Sequence, residues 1–488
     1  MCGTAEAAAP VISLQCRADE ELSTLVRKFW EQEEPPSNAT PLTEAERRCE
    51  EHFAQTHTRL PDGRFMVRLP TTDTIPSLGK SRGVAVRVQR SMERRFRTDA
   101  SLKQAYTAFL TEYEELKHMS PAPQAPPEKD RLCYLPHHGV FKQHGDTAKI
   151  RVVFNGSARL PSGESLNAHL LPGPNLLPAL PDVLTQWRMH KFVMVTDMVK
   201  MYRQILVHPD DQDLQRIVWR PDETAALRDY LLNTVTYGEG CAPFLAIRSQ
   251  LQLARDERAR FPRAAAILED DTYVDDVFPG AETLEEALEL QTELIELCLA
   301  GGFPLSKWSA NSDALLATIP EEHRQPRRAL EWGTHEGHSI LGLQWQPEKD
   351  TFSFQVHPAT STPVTKRSVL SHTARLFDPL GWLAPVIIGA KILIQSTWLQ
   401  GLEWDQPLTT KDEQAWLRIQ ASLHVLERIR IPRWVSTGSE ESRVEIHGFA
   451  DASERAYAAV IYIRTIDGPE IKVSLLMAKN PRWLLLDL

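Results

Sequence analysis

The 488-residue chain has no long hydrophobic run, no clustered cysteines and no excess of basic charge. Its longest apolar stretch, Leu383 to Ile394, is too short to cross a bilayer and contains Pro385 and Lys391. The N-terminus shows no basic segment followed by an apolar one, so it does not read as a secretory signal. Cys2 stands where a myristoylated chain needs glycine. The six cysteines (Cys2, Cys16, Cys49, Cys133, Cys241, Cys298) are scattered without a C-x-x-C. That argues against a zinc ribbon or a disulfide framework and suits a reducing compartment. There are 55 Lys and Arg against 65 Asp and Glu, a net charge of −10. A uniformly basic nucleic-acid coat is excluded, whereas a basic groove within an acidic chain is not.

Hydrophobic residues are 42% and charged residues 25%, the balance of a globular protein. At about 100–200 residues per domain there is room for roughly three or four domains. TEAE at Thr43 to Glu46 predicts a capped helix, and RFMVRLP a strand. Lys80 to Arg97 carries seven Lys and Arg against one acid, Glu93, a pattern that by itself reads as a solvated helix face. SPAPQAPPEKD reads as a Pro-rich linker. Beyond it, KIRVVF, KFVMVTD, YLLNTVTYG and TYVDDVF read as strands. Helices are expected from about Ala242 and from Thr283, the second ending at Gly301-Gly302. ILGLQWQPEKDTFSF predicts a hairpin, 366–430 helices, and 443–464 strand again. Separate strands and helices of this kind predict an α+β protein.

Acidic residues flanked by apolar strand residues are costly unless paired or metal-bound. Asp197 ends the strand KFVMVTD, and Asp275 and Asp276 sit at the turn of TYVDDVF, 78 residues after it. An Asp-Asp pair alone is commonly a turn or a helix cap. Brought beside Asp197, the pair would instead make an all-oxygen site for Mg²⁺. Two ions about 3.5–4 Å apart would activate an attacking hydroxyl and stabilise a leaving pyrophosphate. Tyr202, five residues after Asp197, strengthens that reading.

The ordered stretches YLPHHGVFKQHGDTAKIRVVFNGSA, VTDMVKMYRQILVHPDDQDLQRIVWRP, LNTVTYGEGCAPFLAIR, YVDDVFPGAETLEEA and GGFPLSKWSAN resemble the reverse transcriptase of long-terminal-repeat retroelements of the BEL/Pao group. LGLQW, LFDPLGWLAPVIIGAKILIQSTW and GFADASERAYAAVIYIR extend the likeness over roughly residues 37–478. The resemblance implies right-hand polymerase fingers and palm (132–320), preceded by an N-terminal tail (1–36), an extension (37–120) and the linker (121–131). A helical thumb/connection or Pao region (321–440) and a truncated ribonuclease H-like segment (441–488) would follow.

Carried over residue by residue, the likeness implies catalytic Asp197, Asp275 and Asp276, with Asp197 and Asp275 holding the metals. Tyr202 would pack under the incoming sugar, and Lys149 and Arg151 would contact its triphosphate, for which ammonium and guanidinium groups are suited donors. Gly238 would let backbone approach the template–nucleotide pair, and Lys307 would serve on the phosphate side. Leu341, Gly342 and Trp345 resemble a primer-gripping hairpin. Taken singly, Tyr202 and Trp345 fit plain core equally well, Lys149 a surface lysine and Gly238 a turn. Asn155 departs from the family's aspartate. Asp451 in GFADAS resembles the first ribonuclease H carboxylate, but only 37 residues follow it and KNPRWLLLDL does not continue the likeness. Ribonuclease H activity is therefore not expected, and because neither D-T-G nor D-S-G is present, protease activity is not expected either. The implied partners are a primed RNA or DNA template and deoxynucleotide triphosphates, with Mg²⁺ (or Mn²⁺) as cofactor and no membrane. The implied setting is the cytoplasm or a virus-like particle. The alternative is an inactive or domesticated retroelement fragment that binds nucleic acid or a protein without catalysis.

Overall fold

The computed structural model describes residues 41–75, 78, 81–123, 132–144, 147–326, 338–340, 343–356, 363–436, 438, 442–453 and 456–479; the side chains of 142–149 and 338–340 lie outside that description. Helix α1 (Glu44–Thr56) opens on a capping box, in which Thr43 accepts from the Glu46 N–H and Glu46 accepts from the Thr43 N–H. Short strands β1 (Thr58–Arg59) and β2 (Phe65–Val67) follow. The basic segment forms α2 (Ser81–Thr98), and Asp99 caps α3 (Ala100–Glu115). After β3 (Met119–Pro121) comes a long hairpin, β4 (His137–His144) with β5 (Thr147–Phe154). Then α4 (Leu180–Met189) leads into β6 (Phe192–Met198), the short turn of helix α5 (Met201–Gln204) and β7 (Leu206–Val207).

β8 (Arg216–Trp219) and β9 (Arg228–Leu232) join β3 in one sheet. The expected strand YLLNTVTYG stops at Leu232, because Asn233 and Val235 turn aside to bond His118 and Ile205. Pro-started α6 (Ala242–Glu257) and α7 (Pro262–Asp270) precede three two-residue strands, β10 (Thr272–Tyr273), β11 (Asp276–Val277) and β12 (Gly280–Ala281). Helix α8 (Leu284–Ala300) starts at a Thr283/Glu286 capping box and ends at Gly301, as the sequence predicts. Strand β13 (Leu305–Ala310) pairs with β6, which therefore lies at the centre of a five-stranded sheet with β11 and β12 on its other edge. Strands β14 (His338–Ile340), β15 (Leu343–Gln346) and β16 (Thr351–Ser353) begin a second small sheet. Helices α9 (Lys366–Ala374), α10 (Ala384–Leu399) and α11 (Thr410–Leu423) come next. Then β17 (Ile431–Pro432) pairs back onto β16, and β18 (Arg443–Ala452), β19 (Tyr457–Asp467) and β20 (Glu470–Lys479) make an antiparallel sheet. The architecture is mixed α and β, as expected. No helix among the described residues is long and apolar enough to cross a membrane.

The chain divides into two compact units. One holds the described residues of Pro41–Phe352 and Ile431–Ser439, the other those of Ser353–Arg430 and Glu440–Leu488. In the first, the segments read as extension and as fingers and palm share one core, from Cys49 and Phe53 through Tyr106 and Met194 to Trp308. Cross-chain ion pairs reinforce it: Arg68 with Asp211 (2.6 Å), Arg248 with Glu50 (2.9 Å) and Arg220 with Glu93 (2.7 Å). The late segment belongs to the first unit because Arg433 is fully buried there. Its guanidinium donates to the carbonyls of Trp187 (2.8 Å) and His190 (2.7 Å) and pairs with Asp350 (2.7 Å). In the second unit, Val369, Ile394 and Trp416 are core, Trp382 Nε1 donates to Leu476 O (3.1 Å) and Ala478 N to Leu380 O (2.8 Å).

Candidate active site

Strand β6 is buried from Val193 to Thr196 and then presents Asp197 at its end. The register of β11 sets Asp276 directly opposite Asp197 and Val277 opposite Thr196. Thr272 and Tyr273 pair with Val277 and Asp276, so Val274 and Asp275 form a two-residue turn. The Met198 N–H donates to Asp275 O (2.8 Å), closing that turn onto β6. Val274 has φ 59°, a left-handed conformation that is an outlier for a β-branched residue. Its carbonyl accepts from Gln250 Nε2 (3.0 Å), whose amide also lies 3.1 Å from the Met198 sulfur. Strain held in place by surrounding contacts is a mark of functional sites. On the opposite edge of β6, the β13 register shifts between Ser306 and Ser309, and Lys307 within that bulge has φ 59°. The bulge aims Lys307 Nζ at Asp197 Oδ1, 2.7 Å away.

The three acids burden one another. Burial, then Asp275 and Asp197, push the Asp276 carboxyl up to about 7, against the pull of Lys307. Burial, then Asp197, raise Asp275, opposed by its own backbone N–H, Lys307 and Arg151. A dication would relieve this repulsion, and carboxylate oxygens are the donors a hard cation takes. Among the described residues, no three His, Cys, Asp or Glu converge into a ready-made cage. Mg²⁺ does not ask for one, since it is usually held by one or two carboxylates plus substrate phosphates. The donor set therefore fits Mg²⁺.

Tyr202, on α5, is half-buried against the main core; burial and then Asp275 raise its phenol above the ordinary value. Arg151 is exposed on β5 opposite Val140. Lys149 pairs with Lys142 in the same hairpin, and its side chain lies outside the described residues. Gly238 has φ 102°, and a Cβ there would stand 2.0 Å from Phe154 O. Asn167 holds that turn: its Nδ2 donates to Gly238 O (3.0 Å) and its Oδ1 accepts from Gly240 N (2.9 Å). Tyr237 OH donates to Val152 O (2.6 Å), so residues 237–240 are clipped to β5. Asn155 supports the turn after β5, its Oδ1 accepting from Ser157 N (3.0 Å). Between the two glycines, Glu239 is buried with neither carboxyl oxygen bonded, and desolvation pushes it up to about 8.

The remaining expected residues do not join this cluster. Leu341 and Gly342 lie outside the described residues. Trp345 has no exposed surface. It packs edge-on against Trp187 (4.9 Å) and donates to Asp350 Oδ1 (3.0 Å), so it is core and not a primer-facing side chain. Asp451 is exposed on β18 opposite Ala458. Gln250 and Asn167 escaped the sequence reading: each acts on backbone far away in the chain, and neither sits in a recognisable motif.

Fold and site together define a mixed α/β protein with an acidic centre at the end of a buried strand. Residues 365–481 match the family described as a Pao retrotransposon-like RNaseH-like domain. The match likens this C-terminal segment to Pao-type retrotransposon proteins. No curated protein matches the chain. The matched region runs from α9 to the end of β20, across the boundary at 440 expected between connection and ribonuclease H-like segments. The bonds from Trp382 and Ala478 join its helices and sheet across that boundary.

Proposed function

We propose that the chain is the RNA-directed DNA polymerase of a Pao-type retroelement, adding deoxynucleotides to a primer 3′ end. The observation that carries this reading is the register of Asp276 opposite Asp197, with Asp275 at the adjoining turn. Asp197 and Asp275 would hold Mg²⁺, with Asp276 completing the acidic set. When bound, the ions would acidify the primer 3′-hydroxyl for attack on the α-phosphate and stabilise the departing pyrophosphate. Arg151 and Lys149 would bind the triphosphate, and Tyr202 would seat the sugar. Gly238, which no side chain can replace without striking Phe154, would give the base pair its backbone floor. Lys307 would hold Asp197 in place.

The test is incorporation of labelled deoxynucleotide on a primed homopolymer, by the wild type and by Asp275→Asn. Incorporation by the wild type and its loss in the variant, with primer–template affinity nearly unchanged, is the expected result. Binding without incorporation by the wild type identifies a non-catalytic retroelement fragment. Incorporation that survives Asp275→Asn overturns the assignment of the acids.

A further inference from the structure

Of the six arginines on helix α2, Arg95 lies against the Met92 sulfur (3.8 Å) and the other five are of two kinds. Arg82 and Arg97 are structural: they pair with Asp229 (2.8 Å) and Glu223 (2.6 Å) across the unit. Arg87, Arg90 and Arg94 are exposed and have no acidic partner among the described residues. At spacings of three and four they line one side of the helix, over about 10 Å of its length. The opposite side is fixed, with Ala85, Gln89, Met92 and Phe96 buried. Gly83, one turn before Arg87, adds no side chain to the outer face: a Cβ there would meet nothing within 4 Å. Three like charges on one helix face repel one another, and no acid among the described residues offsets them. They stand together although the net charge of the chain is −10.

We infer that Arg87, Arg90 and Arg94 form an accessory surface for the phosphate backbone of a single nucleic-acid strand, separate from the acidic centre. The inference rests on the reading of the chain as a nucleic-acid enzyme and adds a second contact to it. Guanidinium groups are suited to phosphate, donating two parallel hydrogen bonds to its oxygens. No acid interrupts the stripe to favour a peptide partner, since Glu93 is turned inward onto Arg220 (2.7 Å). Binding there is independent of base sequence, because only the backbone is contacted.

The test measures affinity of the full chain for a 20-nucleotide single strand across a salt series, without metal or nucleotide. In R87Q/R90Q/R94Q the slope of log K against log salt should be shallower by about 2, from roughly 0.7 per phosphate contact. R87K/R90K/R94K should keep the wild-type slope, and a thermal melt should show all three proteins folded, since these side chains are exposed. An unchanged slope in the glutamine variant, or no strand binding by the wild type, overturns the inference. Because the readout is binding, it is independent of incorporation. A chain that incorporates nothing yet loses strand affinity in the glutamine variant sinks the polymerase reading and keeps the stripe.

Discussion

Asp276 and Asp197 face each other across the β11–β6 pair, two carboxylates at directly opposed positions of an antiparallel sheet. Like charges so placed destabilise a sheet. Burial adds to the cost, raising Asp276 to about 7. Asp276→Asn should therefore raise the unfolding midpoint by about 1–3 °C at pH 8, where the carboxyl is ionised, while depressing incorporation. Melting curves and primer extension on the same preparation check both. A variant that is less stable, or fully active, would show that the pair is ordinary structure.

Gly238 answers a different question, whether the 237–240 turn tolerates any side chain. Both its φ of 102° and the 2.0 Å approach to Phe154 O forbid one. Gly238→Ala should lose roughly 1–3 kcal/mol of stability from backbone strain alone, and more if Phe154 must move. Chemical denaturation of the variant beside the wild type measures this. An unchanged midpoint would mean that the turn is not held in this conformation.

Glu239 makes stability depend on pH. The ordinary carboxyl value is 4.5, and burial raises this one to about 8, beside Cys133 and Cys241. Below about 4.5 folded and unfolded chains are both protonated at this group. Between 4.5 and about 8 the folded chain keeps the proton that the unfolded chain gives up. Stability from this group therefore falls as pH rises through that window and levels off above it. Glu239→Gln carries no proton to lose, so its melting point should gain on the wild type's from pH 5 to pH 9. Parallel curves for the two proteins would remove Glu239 as the source.

Much of this was legible in the chain. The boxes at Thr43/Glu46 and Thr283/Glu286 marked two helix starts, because capping is decided within four residues. The apolar run before Asp197 announced a buried strand for the same local reason. Pairing was not legible, because the Asp276–Asp197 register joins residues 79 apart and periodicity carries no such information. The resemblance to reverse transcriptases supplied the acids' companionship, not their geometry. Trp345 shows the converse failure: alternation places it on a face of β15, but only the packing against Trp187 reveals that this face looks inward. Asn167 and Gln250 act through backbone groups 71 and 24 residues away, for which no local pattern exists.

The buried seat of Arg433 sets a calendar for synthesis. The carbonyls of Trp187 and His190 and the carboxylate of Asp350 are translated long before the guanidinium that satisfies them. Folding as the chain emerges would bring the acid-bearing strands together early, with this polar seat still awaiting its donor. The unit is finished only when the helices of 366–423 have left the ribosome and residue 433 follows them. A chain that stalls within those helices carries all three acids on an unfinished support.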